Sequence, residues 1–398
     1  MDELSSIDTR LSFSCKFQFI PESTINAEML FKYARWLQKN NLLNQDKKVD
    51  AEISRLYRIS AENGNVKANI NLQNGSLQGQ FSLNGEERLR MSQQLIDEGV
   101  GAGYYFIAIY LQHGAAGLEQ DQEMALRYMR KAADEGNPQA QAYLGDVLAP
   151  RNMAPVVSLQ IRRCAAEQGE GATARSLGIY YQENSDYRSS LELFQLGVKA
   201  GNSNAASFLA NGFNGPEPSN ELYYMGLNED KERARRYGVI RKILSNYSYA
   251  NPKVPEINEI VPLPPTPLPT WNGKLKWLEE REANIPPEKP SEALINQMAR
   301  DKQLDPATGK PLPESPNFVR DDSIRLSCRN GEVCPVSGYW EMEWWDYNSL
   351  NTQRIVRFNQ GDILPTDRVR RVVTRPWPFE DKVVIEEKMM AWRLIAEV

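Results

Sequence analysis

"KAADEGNPQAQAYLG", Lys131 to Gly145, places a helical ending, a turn and a fresh helical start in one short stretch. Upstream, Asp121 can cap a helix on which Ala125, Met129, Ala132 and Ala133 share one face at three- and four-residue steps. Gly136 then offers the left-handed conformation that ends a helix, and Asn137 and Pro138 suit the cap and first turn of the next. The small Ala140 lets two helix axes approach. The stretch reads as a building unit rather than a site.

The chain repeats it. "SAENGNVKANINL" (Ser60 to Leu72), "LIDEGVGAGYYFIAIYL" (Leu95 to Leu111), "CAAEQGEGATARSLGIYY" (Cys164 to Tyr181) and "GVKAGNSNAASFLANGF" (Gly197 to Phe213) share the skeleton. The turn glycines Gly64, Gly99, Gly136, Gly169 and Gly201 lie 35, 37, 33 and 32 residues apart, the period of paired-helix arrays. Asn follows glycine again at Asn65 and Asn202, with alanine at Ala68 and Ala205; the register slips to Gly103 and Thr173 in the other two units. These residues resemble the Sel-like repeat, a short relative of the tetratricopeptide repeat, over roughly Arg55 to Phe213. The resemblance implies an α-solenoid that holds a partner on a curved surface.

Composition limits the function classes. The net charge is −5, from 47 Lys and Arg against 52 Asp and Glu, where a nucleic-acid binder usually has a basic excess. No apolar run approaches the roughly 20 residues that span a bilayer. The start "MDELSSIDTR" has no apolar signal core, so the expectation is either a cytosolic protein or one whose targeting segment precedes this numbering.

The expected organisation is mainly α: an N-terminal strand in 1–25, a solenoid of Sel-like helix-turn-helix repeats over 26–250, a Pro-rich strap with a short helix over 251–317, and a small β-rich C-terminal domain over 318–398. Strand period two appears in "LSFSCKFQF", where Leu11, Phe13, Cys15, Phe17 and Phe19 alternate with polar residues. Pro252 to Pro316 holds 14 of the 24 prolines, including "PLPPTPLP". Such a segment is extended, and Ile257, Ile260, Val261 and Trp271 give it apolar anchors that a free linker would not need. "SIRLSC", "GYWEMEWW", "RIVRFNQG", "VRRVVTR" and "KVVIEE" read as short strands; the closing "KMMAWRLIAEV" fits strand or helix.

Chemistry is sparse. The single histidine, His113, sits at a repeat helix end, which leaves no His-rich metal site. "GVGAG" at Gly99 to Gly103 falls where the repeat needs its turn and lacks a preceding strand, so it is no phosphate loop. Glu341 and Glu343 share a strand face but have no supporting glycosidase motif. No catalytic residue, cofactor or metal is expected, and the protein is expected not to be an enzyme. Cys328 and Cys334 bracket "RNGEV", whose Asn330-Gly331 favours a tight turn, and a disulfide is expected there, with an oxidising compartment as its consequence. Cys15 and Cys164 are buried thiols or a second bridge.

In "YWEMEWWDY", alternation sends Trp340, Met342 and Trp344 to a core face and Tyr339, Glu341, Glu343, Trp345 and Tyr347 to the solvated one. The spacing C-x-x-G-x-x-C-P-x-S-G-x-W (Cys328 to Trp340), followed by F-x-x-G-x-x-L-P (Phe358 to Pro365), resembles the C-terminal domain of immunity proteins encoded beside secreted antibacterial toxins. "EINEIVPLPPTPLPTWNGKLKWL" is similar to an uncharacterised domain that accompanies Sel-like repeats in type VI secretion loci. The resemblance implies a periplasmic immunity protein that occludes a cognate toxin, with a phospholipase-type effector as the preferred class. A periplasmic scaffold for envelope assembly or signalling is the alternative. Trp345, Tyr347, Tyr180 and Tyr181 are the expected contact anchors, and Arg370 and Arg371 the charged rim.

Overall fold

The computed structural model describes residues 12–150, 153–320, 324–343, 349–350, 353–373 and 382–397. The chain divides into two compact units, 1–53 with 64–289, and 54–63 with 290–398.

The first unit is built from helices α1 (Ile25–Asn41), α2 (Lys47–Glu62), α3 (Val66–Leu77), α4 (Gly85–Asp97), α5 (Gly101–His113), α6 (Gln122–Asp134), α7 (Pro138–Leu148), α8 (Pro155–Glu167), α9 (Gly171–Glu183), α10 (Tyr187–Lys199), α11 (Ser203–Gly212) and α12 (Lys231–Asn246), with α2 shared between the units. The five expected turns fall at the α2–α3, α4–α5, α6–α7, α8–α9 and α10–α11 junctions. Their glycines have φ between +71° and +101°. Asn65, Asn137 and Asn202 accept from Ala68, Ala140 and Ala205 N–H, as helix caps do. Ala125, Met129, Ala132 and Ala133 are the buried face of α6.

Residues 12–24, the described part of the N-terminal segment expected to be a strand, pair with no strand. The segment lies against helices, whose backbone groups are already satisfied, so side chains replace a ladder. Gln141 Nε2 donates to Lys16 O (2.9 Å), Gln18 N to Gln168 Oε1 (2.9 Å) and Arg130 Nη2 to Ser12 O (2.9 Å). Phe17 and Phe19 are consequently exposed.

The prolines of 251–269 run along the last helices. Val254, Ile257, Val261 and Leu275 join one core with Leu209, Phe213, Tyr237 and Ile240. A proline run has carbonyls to satisfy and few N–H groups of its own, and arginines supply the donors. Arg236 reaches Ile260 O (2.6 Å) and Pro269 O (2.8 Å), while Arg233 reaches Pro262 O (3.2 Å) and Thr266 O. Short helices α13 (Ile257–Ile260) and α14 (Lys276–Ala283) complete this unit.

The longer segment of the second unit begins at Pro290, inside the stretch expected to be strap. Helix α15 (Glu292–Asp301) and the loop after it meet the second half of α2, where Arg55 pairs with Glu292 (2.7 Å) and donates to Pro306 O (2.6 Å). Six strands follow among the described residues: β1 (Ser327–Arg329), β2 (Gly338–Met342), β3 (Ile355–Phe358), β4 (Asp367–Val373), β5 (Lys382–Lys388) and β6 (Ala391–Glu397). They form an antiparallel sheet in the order β1-β6-β2-β3 and a separate β4-β5 ribbon. The closing segment is therefore a strand, β6, with partners on both sides. Trp340, Met342, Phe358, Leu364, Trp392 and Leu394 make the core of the sheet.

Candidate functional site

Strand β2 is buried along its whole length, which corrects the expected solvated face. Tyr339 and Glu341 are 5% and 4% exposed. The Glu341 carboxylate is met by Arg354 (3.1 Å), Arg393 (3.6 Å) and Arg320. Three cations around one buried carboxylate make an ion cluster. Glu343 accepts from Ser327 Oγ at 3.1 Å. Burial first, then the nearby Asp305 charge, pushes the Tyr339 phenol up to about 12.

The cysteines also depart from expectation. The disulfide joins Cys15 to Cys164, and Cys328 and Cys334 are free thiols. The chain does turn at Asn330-Gly331, with Glu332 N donating to Arg329 O (3.2 Å), but the two cysteines beyond the turn meet separate partners. Cys328 pairs with Trp392 of β6, while Cys334 N donates to Asp362 O (2.7 Å) and its thiol to Val336 O (3.1 Å). Burial pushes both thiols up.

The residues of the cysteine–tryptophan spacing are thus fold residues. Cys334, Trp340 and Leu364 are core, Gly331 N donates to Leu364 O (2.8 Å), and Ser337 Oγ accepts from Gln360 N (2.8 Å). These buried members hold the sheet together, while Gly331, Pro335, Gly361 and Pro365 are exposed.

The surface lies on the β4–β5 ribbon. Its register pairs Arg368 with Glu387, Arg370 with Ile385 and Val372 with Val383, so these six side chains share one face. All six are exposed, Val372 by 57%, Val383 by 48% and Ile385 by 60%. The opposite face holds half-buried Val369 and Val384, and Arg371 pairs there with Glu386 at 3.6 Å. Arg370 and Arg371, expected to form one rim, therefore point to opposite sides. Two-stranded ribbons bury little by themselves, and this face combines exposed aliphatic side chains with two arginines.

In the first unit, Tyr180 and Tyr181 meet edge to face at 5.4 Å near the end of α9. Tyr180 is 39% exposed, and Tyr181 packs against the cluster of Ala166, Leu177 and Leu193. Trp345 and Tyr347 lie outside the described residues. His113 ends α5, where Gly114 adopts φ +61°. Among the described residues no three His, Cys, Asp or Glu side chains are placed to hold a metal, and no helix is long and apolar enough to cross a membrane.

Sequence reasoning missed the Val372–Val383–Ile385 patch, although alternation in "VRRVV" and "KVVIEE" carried the signal. It also passed over Glu170 and Lys253. Burial raises the Glu170 carboxyl and lowers the Lys253 ammonium, each offset in part by the other's charge. Lys253 donates to Ala200 O (2.9 Å), fixing the strap beside the Gly201 turn.

Residues 205–312 match a domain of unknown function, DUF6396, a span that takes in most of the strap. Comparison with curated proteins gives no match. Among solved structures, the chain is similar to immunity protein Pa5087 of Pseudomonas aeruginosa, at 25% identity over 64% of this chain and 96% of that one, with a TM-score of 0.49. Immunity protein PA5088 of the same organism has 25% identity over 64% and 95%, with a TM-score of 0.49. A Sel1 repeat protein of Oxalobacter formigenes has 18% identity over 53% and 85%, with a TM-score of 0.38.

Proposed function

We propose that this protein is an immunity protein that binds a cognate secreted antibacterial toxin and blocks it sterically. The observation that carries the reading is the exposed apolar and basic face of the β4–β5 ribbon, with Val372, Val383 and Ile385 as its centre and Arg368 and Arg370 beside them. Aliphatic centres with arginine suit protein recognition. The toxin as partner follows from the resemblance of the Cys328–Trp340 and Phe358–Pro365 spacings to immunity domains. Pa5087 and PA5088 bear that role in their names; the surface and the spacings support it for this chain.

A phospholipase-type, type VI-secreted effector is the proposed target, and the periplasm the proposed compartment. The Cys15–Cys164 bridge supports the latter, because disulfides persist in oxidising compartments. The ribbon and Tyr180 are the proposed contacts; Trp345 and Tyr347 remain proposed with them. Binding of this kind needs no cofactor.

The test is survival. Cells expressing the effector encoded by the neighbouring gene in the periplasm should die alone and live when this protein is co-expressed. Death in both cases contradicts the proposal.

A further inference from the structure

The β4–β5 ribbon has two long edges, and one of them is partly taken. Leu350 N donates to Arg368 O at 2.7 Å and Ser349 bridges Val369, so the chain at 349–350 lies on the outer side of β4. That bond also fixes which way the backbone points. An Arg368 carbonyl that faces Leu350 faces away from β5, which makes Arg368 and Glu387 a pair without mutual ladder bonds. Bonded and non-bonded pairs alternate along an antiparallel ladder, so Arg370–Ile385 and Val372–Val383 are of the same kind.

The consequence falls on β5. Val383, Ile385 and Glu387 aim their N–H and C=O groups away from β4, along the second edge, while Val384 and Glu386 between them turn theirs to the ladder. Among the described residues no group bonds to the backbone of Val383, Ile385 or Glu387, and all three residues are exposed. Their side chains lie on the same face as exposed Val372. An open edge with aliphatic side chains beside it is a template for a further strand.

We propose that the effector is held by strand addition, an extended segment of it pairing antiparallel with the open edge of β5. This rests on the immunity reading and names how that surface takes its partner. Main-chain bonds to Val383, Ile385 and Glu387 accept any extended chain, so side chains supply the selection. Residues directly opposite these three share their face. Val383 and Ile385 favour apolar residues there, and the exposed Glu387 carboxylate favours a lysine or arginine, the ribbon's described ion pair being Arg371 with Glu386. Read along the antiparallel segment, the pattern is a basic residue with apolar ones two and four positions later. A second copy of β5 fits poorly: paired about Ile385, it sets Glu387 against Val383 and Lys382 against Lys388.

Residue-resolved hydrogen exchange of the full chain, alone and with the effector encoded by the neighbouring gene, tests it. Alone, the amides of Val384 and Glu386 should be protected and those of Val383, Ile385 and Glu387 open; in the complex all five should be protected. Affinity gives a second measure. Proline at 383 removes an outward N–H without touching the ladder and keeps more apolar surface than alanine. Val383→Pro should therefore bind the effector on the order of tenfold more weakly than Val383→Ala, with equal melting temperatures. No complex overturns this proposal together with the immunity reading. A complex in which the three amides stay open, or in which Val383→Pro binds as well as Val383→Ala, overturns strand addition alone. Protection of the three amides in the protein alone, increasing with its concentration, overturns it in favour of a second copy.

Discussion

Cys15 and Cys164 are joined across 149 residues of sequence, which fastens the extended N-terminal segment to helix α8. In the chain-entropy model a loop of that length contributes about 4 to 5 kcal/mol. Cys15→Ser should therefore lower the melting temperature clearly. Peptide mapping without reductant should recover Cys15 linked to Cys164 and both Cys328 and Cys334 as free thiols. A Cys328–Cys334 linked peptide would contradict the observed pairing.

Two turn glycines separate a conformational cost from a packing cost. Gly64 (φ +87°) has nothing within 4 Å of an added Cβ, whereas at Gly136 (φ +88°) that atom would stand 2.5 Å from the Phe17 carbonyl carbon. Both alanine variants pay roughly 1 to 2 kcal/mol for the left-handed backbone. Gly136→Ala must also displace the N-terminal segment, so it should melt well below Gly64→Ala. Equal melting temperatures would mean that this segment does not lie across the turn. Gly136→Val, with a branched side chain, should be worse still.

The Glu341 cluster predicts a stability effect. Glu341→Gln removes the common partner of three arginines from a site only 4% exposed. Because those arginines can turn partly to water, the cost should be on the order of 1 to 3 kcal/mol. Urea unfolding measures it, and an unchanged midpoint would contradict the ion cluster.

Glu170 should give the protein an acid-side stability term. Burial raises its carboxyl above the ordinary 4.5, so the folded state holds the proton more tightly than the unfolded chain does. Its contribution is fully present below the unfolded value and is lost as pH rises from there through the raised folded one. Glu170→Gln should abolish this part of the pH dependence and leave the variant more stable than wild type at neutral pH. A less stable variant at neutral pH would show that attraction to Lys253 outweighs burial.

The helix pairs were legible because their signals are local: a glycine at positive φ recurs in all five units, and an Asn cap with an alanine four residues past the glycine in three of them. The strap was legible for the same reason, since prolines announce an extended segment and Ile257 and Val261 its anchoring. What failed depended on distant neighbours. Period two in residues 11–19 could not show that the segment would meet helices, nor that Cys15 would find Cys164. The burial of Tyr339 and Glu341 is set by Asp305, Arg320, Arg354 and Arg393, brought together only by folding. The separation of Arg370 from Arg371 was within reach, because adjacent residues of a strand point to opposite faces.

The central claim is tight binding of an effector through the ribbon, and the direct measurement is its affinity by calorimetry for the wild-type protein, Ile385→Asp and Arg371→Ala. Neutralisation at low abundance requires a nanomolar or tighter complex, roughly −12 kcal/mol. The account predicts that affinity for wild type, a loss on the order of a hundredfold for Ile385→Asp at the centre of the exposed face, and a small change for Arg371→Ala on the other side. No complex with the effector encoded by the neighbouring gene, or undiminished binding by Ile385→Asp, would contradict it.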